Sequence, residues 1–117
     1  TPEEFFAGHP AAYQVFTAVR DLVLAAGPAE VRVSRSQVAF RRRRGFAYLW
    51  LPGTWLHRPT AEVVLSVALP RHDTSARFKE VAHPSPRIWM HHLEVHDPTA
   101  LDAEVAGWLA EAAAAAG

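Results

Sequence analysis

What most constrains this chain is a change in the period of its apolar residues. Ala12, Val15, Phe16, Val19, Leu22, Val23 and Ala26 recur at steps of three and four, which draws one stripe along a helix. After Gly27-Pro28, a helix stop signal, that period disappears. Val31, Val33, Val38, Phe40, Phe46, Tyr48 and Trp50 are β-branched or aromatic and favour strands. Strands are expected near residues 30–35, 37–42, 45–51, 62–69, 77–83 and 88–95, with breaks at Leu51-Pro52-Gly53-Thr54, Leu69-Pro70-Arg71-His72-Asp73 and His83-Pro84-Ser85-Pro86. The links are too short for crossover helices, so the strands run antiparallel.

Helical signals return at both ends. Thr1 with Glu4 makes a capping box, Pro2 suits a first helical position, and Gly8-His9-Pro10 separates this turn from the longer helix. At the other end Asp97 is an expected N-cap and Pro98 a first helical residue. Leu101, Val105, Trp108, Leu109 and Ala112 form the inward stripe, with Asp102, Glu104 and Glu111 outside. The tail Ala112–Ala116 has little to bury and is expected to fray. The expectation is a single α+β domain over residues 1–117. It is an antiparallel β-meander of about five to six strands, with an N-terminal and a C-terminal helix packed on one sheet face as a two-layer sandwich. A length of 117 residues suits one core.

Composition removes several classes of function. There is no cysteine, which excludes disulfides, thiolate nucleophiles and cysteine-ligated metals. No run of ~18 apolar residues exists, so no membrane partner is expected. Twelve basic residues balance twelve acidic ones, which argues against a dedicated nucleic-acid binder. Glycines are scattered rather than grouped in a phosphate loop, and no cofactor is expected. The first residues, Thr1-Pro2-Glu3-Glu4, carry neither a basic region nor an apolar signal core, so the expected location is cytoplasmic.

A two-layer sandwich leaves one sheet face without helices, and such a face is polar, covered by loops, or used for binding. Charge is unevenly placed along the chain. Arg32, Arg35, Arg41, Arg42, Arg43, Arg44 and Arg58 fall between Val31 and Ala61 with no acid among them. Phe46, Tyr48, Trp50 and Trp55 interleave with these arginines. Guanidinium groups grip carboxylate or phosphate and stack on rings. The plainer reading of Arg41–Arg44 is a solvated hairpin tip that protects a sheet edge. Arg32 and Arg35 are expected inside a strand.

The second cluster is His83, His91, His92 and His96 with Glu94. Strand alternation puts His92, Glu94 and His96 on one face and Trp89, His91, Leu93 and Val95 on the other. His-x-Glu-x-His offers metal-ligand chemistry, but His96 abuts the Asp97 cap, and no metal is expected. His91 reads as a core histidine bonded to a backbone carbonyl, and His92 as an exposed sheet residue. Ser34-Arg35-Ser36-Gln37 lacks the Gly-x-Ser-x-Gly elbow of a hydrolase and reads as a hydrogen-bonded turn or strand edge.

Taken together, several segments resemble a family of small stand-alone bacterial proteins, mostly actinobacterial, known as a domain of unknown function. They are Ser34-Arg35-Ser36-Gln37-Val38-Ala39-Phe40, Arg44-Gly45-Phe46-Ala47, Arg77-Phe78-Lys79-Glu80-Val81, His83-Pro84, Met90-His91-His92-Leu93 and Glu104-Val105-x-x-Trp108-Leu109. The resemblance implies a cytoplasmic α+β domain and no particular activity. Its basic-Ser step before the strand corresponds to Arg35-Ser36 and its histidine pair to His91-His92, whereas His96 is not part of the pattern.

The functional expectation is a non-enzymatic binding module on the helix-free face. Arg35, Ser36, Trp50, Lys79, His83 and His92 would converge there and at the strand ends on a small anionic or aromatic ligand or an acidic partner segment. The alternatives are a small enzyme using His91 or His92 as general base with Glu80 or Glu94, and an interaction module for nucleic acid or protein built on Arg41–Arg44. A homodimer is compatible with the sequence.

Overall fold

The computed structural model describes residues 1–54 and 61–117. Arg58 and Trp55, part of the expected basic-aromatic cluster, lie outside the described residues. The chain begins with a short helix α1 (Pro2–Phe5), capped at Thr1 by the reciprocal Thr1–Glu4 box, and continues into α2 (Pro10–Ala26). Six strands follow: β1 (Glu30–Val33), β2 (Val38–Arg41), β3 (Gly45–Trp50), β4 (Val63–Leu69), β5 (Glu80–Ser85) and β6 (Ile88–Val95). The last element is α3 (Ala103–Ala116).

All pairings are antiparallel, in the order β1-β2-β3-β4-β6-β5. The first four strands follow chain order, as a meander requires. The last two depart from it: β6 pairs with β4, and β5 is placed at the sheet edge. Two features of the residues explain the exchange. β6 brings His91, Leu93 and Val95 into the interior, whereas no β5 residue is fully buried. β5 also contains Pro84, which has no N–H for a ladder and falls at a register shift between Ala82 and Ser85.

Both long helices cover one sheet face. Val15, Phe16, Val19 and Val23 of α2, and Val105, Trp108, Leu109 and Ala112 of α3, close over Val38, Phe40, Leu49, Leu65, Val67, Leu93 and Val95. Phe16 and Phe40 stack with centroids 6.0 Å apart. Every residue of β4 is buried, which marks it as the central strand.

The two ends of the chain's last helix correct two expectations. Asp97 caps only a 3₁₀ turn, Pro98–Ala100. The N-cap of α3 is Asp102, whose carboxylate accepts from the Val105 N–H at 3.1 Å. The alanine tail also does not fray. Ala112, Ala113 and Ala116 are buried, and their neighbours are held by the arginine hairpin.

That hairpin caps helix ends as well as presenting exposed side chains at Arg43 and Arg44. Arg42 donates from Nε to the Pro28 carbonyl (2.9 Å) and from its terminal nitrogens to the carbonyls of Ala113 (3.1 Å) and Ala26 (3.4 Å). Arg44 donates to the Ala115 carbonyl at 2.9 Å, and the Arg43 backbone N–H donates to Ala116 at 3.0 Å. The last carbonyls of a helix have no intrahelical partner and carry partial negative charge. Here one loop supplies cationic donors to the C-terminal ends of both α2 and α3. Gly27 makes room for this: its φ is 143°, and a Cβ there would collide with the Arg42 guanidinium.

Candidate functional site

The helix-free face is built from alternate residues of the central strands. Tyr48 and Trp50 on β3 oppose Ser66 and Val64 on β4, which in turn oppose His92 and Glu94 on β6. Ser36 and Gln37 come from the β1–β2 turn, closed by the Ser34 N–H on the Gln37 carbonyl (2.9 Å). Together Ser36, Gln37, Tyr48, Trp50, Ser66, Met90 and His92 line a hollow of about 410 Å³. That falls within the size range of small-molecule sites. The Tyr48 wall depends on a glycine, because its hydroxyl lies over Gly45 where a Cβ would stand.

A directed chain of hydrogen bonds forms the floor. Trp50 Nε1 donates to Ser66 Oγ at 3.0 Å, and Ser66 Oγ lies 2.7 Å from His92 Nδ1. Ser66 is only 3% exposed, and His92 is half-buried. Burial holds the His92 imidazole below its ordinary pKa, with Glu80, its register partner on β5, partly opposing that shift and His91 adding to it. The Trp50 and His92 rings meet edge to face, with centroids 6.3 Å apart.

The adjacent histidine has a different role. His91 is fully buried on the helix side, as strand alternation requires. The Asp73 N–H donates to its Nε2 at 3.0 Å, and its Nδ1 lies 2.9 Å from the Trp89 carbonyl. Both nitrogens are therefore engaged with backbone, and burial lowers its pKa as well. His91 pins the β4–β5 connection to the core. The same connection is tied to α3 by Arg71, bidentate on Glu111 (2.8 and 2.8 Å), and by Arg77 on Asp102 and Glu104.

Of the six residues expected to converge, the structure brings three together: Ser36, Trp50 and His92. Arg35 lies in the turn beyond β1, not inside a strand, and lines a neighbouring hollow with Phe5, Val33 and Ser34. Ser36 borders both hollows. Lys79 pairs with Glu94 at 3.4 Å and does not line the hollow. His83 is exposed on the edge strand, stacked on Trp89 with centroids 3.9 Å apart. Arg32, in β1, pairs with Glu30 at 2.9 Å. His96 stands beyond the end of β6, exposed. Among the described residues, no three His, Cys, Asp or Glu side chains gather as a cation site.

Ser66 is the residue that sequence reasoning missed. The signal was present in Val63-Val64-Leu65-Ser66-Val67-Ala68-Leu69, where it is the sole polar side chain of an otherwise apolar strand. A polar group at such a position needs a buried partner. Among the described residues, no helix is long and apolar enough to cross a membrane.

No curated protein and no solved structure matches the chain. Residues 3–113 match the model of a domain of unknown function, DUF5655, and the chain belongs to that family.

Proposed function

We propose that this protein is a non-enzymatic binding domain whose ligand is a small, flat, largely uncharged molecule held in the Trp50–Ser66–His92 hollow. The supporting observation is an aromatic-walled recess of about 410 Å³ over a buried, hydrogen-bonded polar floor. Tyr48, Trp50 and Met90 offer ring faces and a polarisable thioether, which suit a planar group. No arginine, lysine or carboxylate lines the recess, and its histidine, His92, is disfavoured in the charged form. This favours the aromatic over the anionic class of ligand. The absence of cysteine and the resemblance to bacterial relatives fit a reducing bacterial cytoplasm as the setting.

The enzyme alternative has one observation in its favour, the 2.7 Å contact between Ser66 Oγ and His92 Nδ1. A nucleophile–base pair is expected to have its base oriented by a third group. Among the described residues no carboxylate bonds His92, and Ser66 is nearly sealed while accepting the Trp50 N–H. The binding reading accounts for all three features.

A thermal-shift screen separates these readings. Flat ring compounds at saturating concentration are expected to raise the Tm, and Trp50→Ala to abolish the rise, because only the folded state binds. Stabilisation by phosphorylated or carboxylate compounds alone would overturn the assignment. Labelling of Ser66 by a fluorophosphonate would establish the enzyme alternative instead.

A further inference from the structure

We infer that the floor of this recess is a hydrogen-bond donor of fixed sense, the His92 Nε2–H, and that the ligand therefore carries a hydrogen-bond acceptor on its ring edge. The inference rests on the binding reading above for its ligand and on the hydrogen-bond chain alone for its donor.

The direction of the chain follows from what each group is able to do. An indole nitrogen only donates, so Trp50 Nε1–H points at Ser66 Oγ, which accepts. The serine hydroxyl has one proton, and Ser66 is buried. Among the described residues, the acceptor bonded to that hydroxyl is His92 Nδ1, at 2.7 Å. Were Nδ1 protonated, Ser66 Oγ would accept twice and its own O–H would be buried without a partner among the described residues. An unsatisfied buried donor is costly, so Nδ1 is the bare nitrogen. Neutral imidazole then carries its proton on Nε2.

Nε2 is the ring's remaining polar atom. No buried side-chain nitrogen or oxygen lacks a partner among the described residues, and Nε2 makes no hydrogen bond to them, so none of the described residues seals it off. His92 lines the recess beside Tyr48, Trp50 and Met90. A planar ligand between these apolar walls meets one directed donor at its edge. A ring nitrogen or carbonyl oxygen satisfies it, and a purely hydrocarbon ring leaves it unpaired. The charged groups nearest in register are Glu80 on β5, opposite His92, and Glu94, two residues along β6 and paired with Lys79.

The adjacent His91 provides an internal contrast. The Asp73 N–H donates to its Nε2, so its proton sits on Nδ1, toward the Trp89 carbonyl. Neighbouring histidines on one strand thus hold opposite tautomers.

Two measurements on the whole chain test this. Long-range ¹⁵N–¹H correlation NMR of the ligand-free protein at pH 7.5 reads the tautomers directly. The expected result is an Nε2–H His92 and an Nδ1–H His91, with Ser66→Ala converting His92 to a mixture. An Nδ1–H His92 in the native chain would overturn the donor assignment, whatever binds. N-Methyl-2-pyridone, which has an acceptor and no N–H, is then compared with toluene by chemical-shift titration. The pyridone is expected to bind at least about tenfold more tightly, in line with one net hydrogen bond of about 1.4 kcal/mol. His92→Gln, which retains a side-chain N–H, is expected to keep that preference, and His92→Phe to abolish it. Equal binding of the two probes would overturn the ligand class while leaving the recess as a binding site. No binding of either would overturn both.

Discussion

At the scale of single residues, the adjacent histidines carry the sharpest consequences. Both are held below their ordinary pKa mainly by burial. In the unfolded chain each titrates near about 6.5. Between the lowered folded values and about 6.5 the unfolded chain holds more protons, so stability rises with pH across that window. The stabilisation is complete above about pH 6.5 and is lost as pH falls toward the folded values. Urea unfolding at pH 7.5 and pH 5 is expected to show lower stability at the acid pH. His91→Leu leaves the Asp73 N–H without its acceptor and should cost about 1–3 kcal/mol at pH 7.5. That deficit should shrink at pH 5, since the variant has no buried imidazole to protonate; an unchanged deficit would contradict the assignment. Alternation along β6 made the inward His91 and outward His92 legible from sequence, because a period of two is local. The partners of Ser66 were not legible, because Trp50 and His92 are brought to it only by the register of three strands.

At the scale of elements, the arginine hairpin explains how a four-residue run of like charge is tolerated. Arg42 and Arg44 direct their donors onto carbonyls at the ends of α2 and α3, where cations are favoured. Arg42→Ala removes three such contacts and should destabilise the protein by about 2 kcal/mol, since hydrogen bonds from a charged donor are worth about 1.5–3 kcal/mol. Arg43→Ala should be near neutral, because that residue's bond to Ala116 comes from its backbone N–H. Equal effects of the two substitutions in denaturant unfolding would refute the capping role. Gly45→Ala should act differently, displacing Tyr48 and weakening ligand binding more than stability. The helices and six strands could be read from the chain because periodicity and breakers are local signals. The capping role of Arg42 could not, since its partner Ala113 lies 71 residues away.

At the scale of the whole molecule, one sheet carries both the core and the recess, on opposite faces. β4 is buried on both sides and paired on both edges, so its amides should exchange only through global unfolding. β1, a short edge strand with alternate residues exposed, should exchange first among the strands. Hydrogen exchange read by mass spectrometry checks this order, and equal protection of β1 and β4 would contradict it. The swap of β5 and β6 is the part of the topology that local patterning did not convey. Either strand of that hairpin could have met β4, and burial on β6 with Pro84 on β5 decided between them.

On the proposed reading, the helix-free face holds a ligand recess rather than a solvated sheet surface. The most direct test of that reading follows the tryptophan indole N–H signals while a library of flat, acceptor-bearing ring compounds is titrated. Binders are expected to move the Trp50 signal and the His92 ring resonances while Trp108, whose N–H is bonded to Asp73 on the helix side, stays in place. Binders that shift Trp108 or the Arg41–Arg44 hairpin and leave Trp50 unmoved would contradict it.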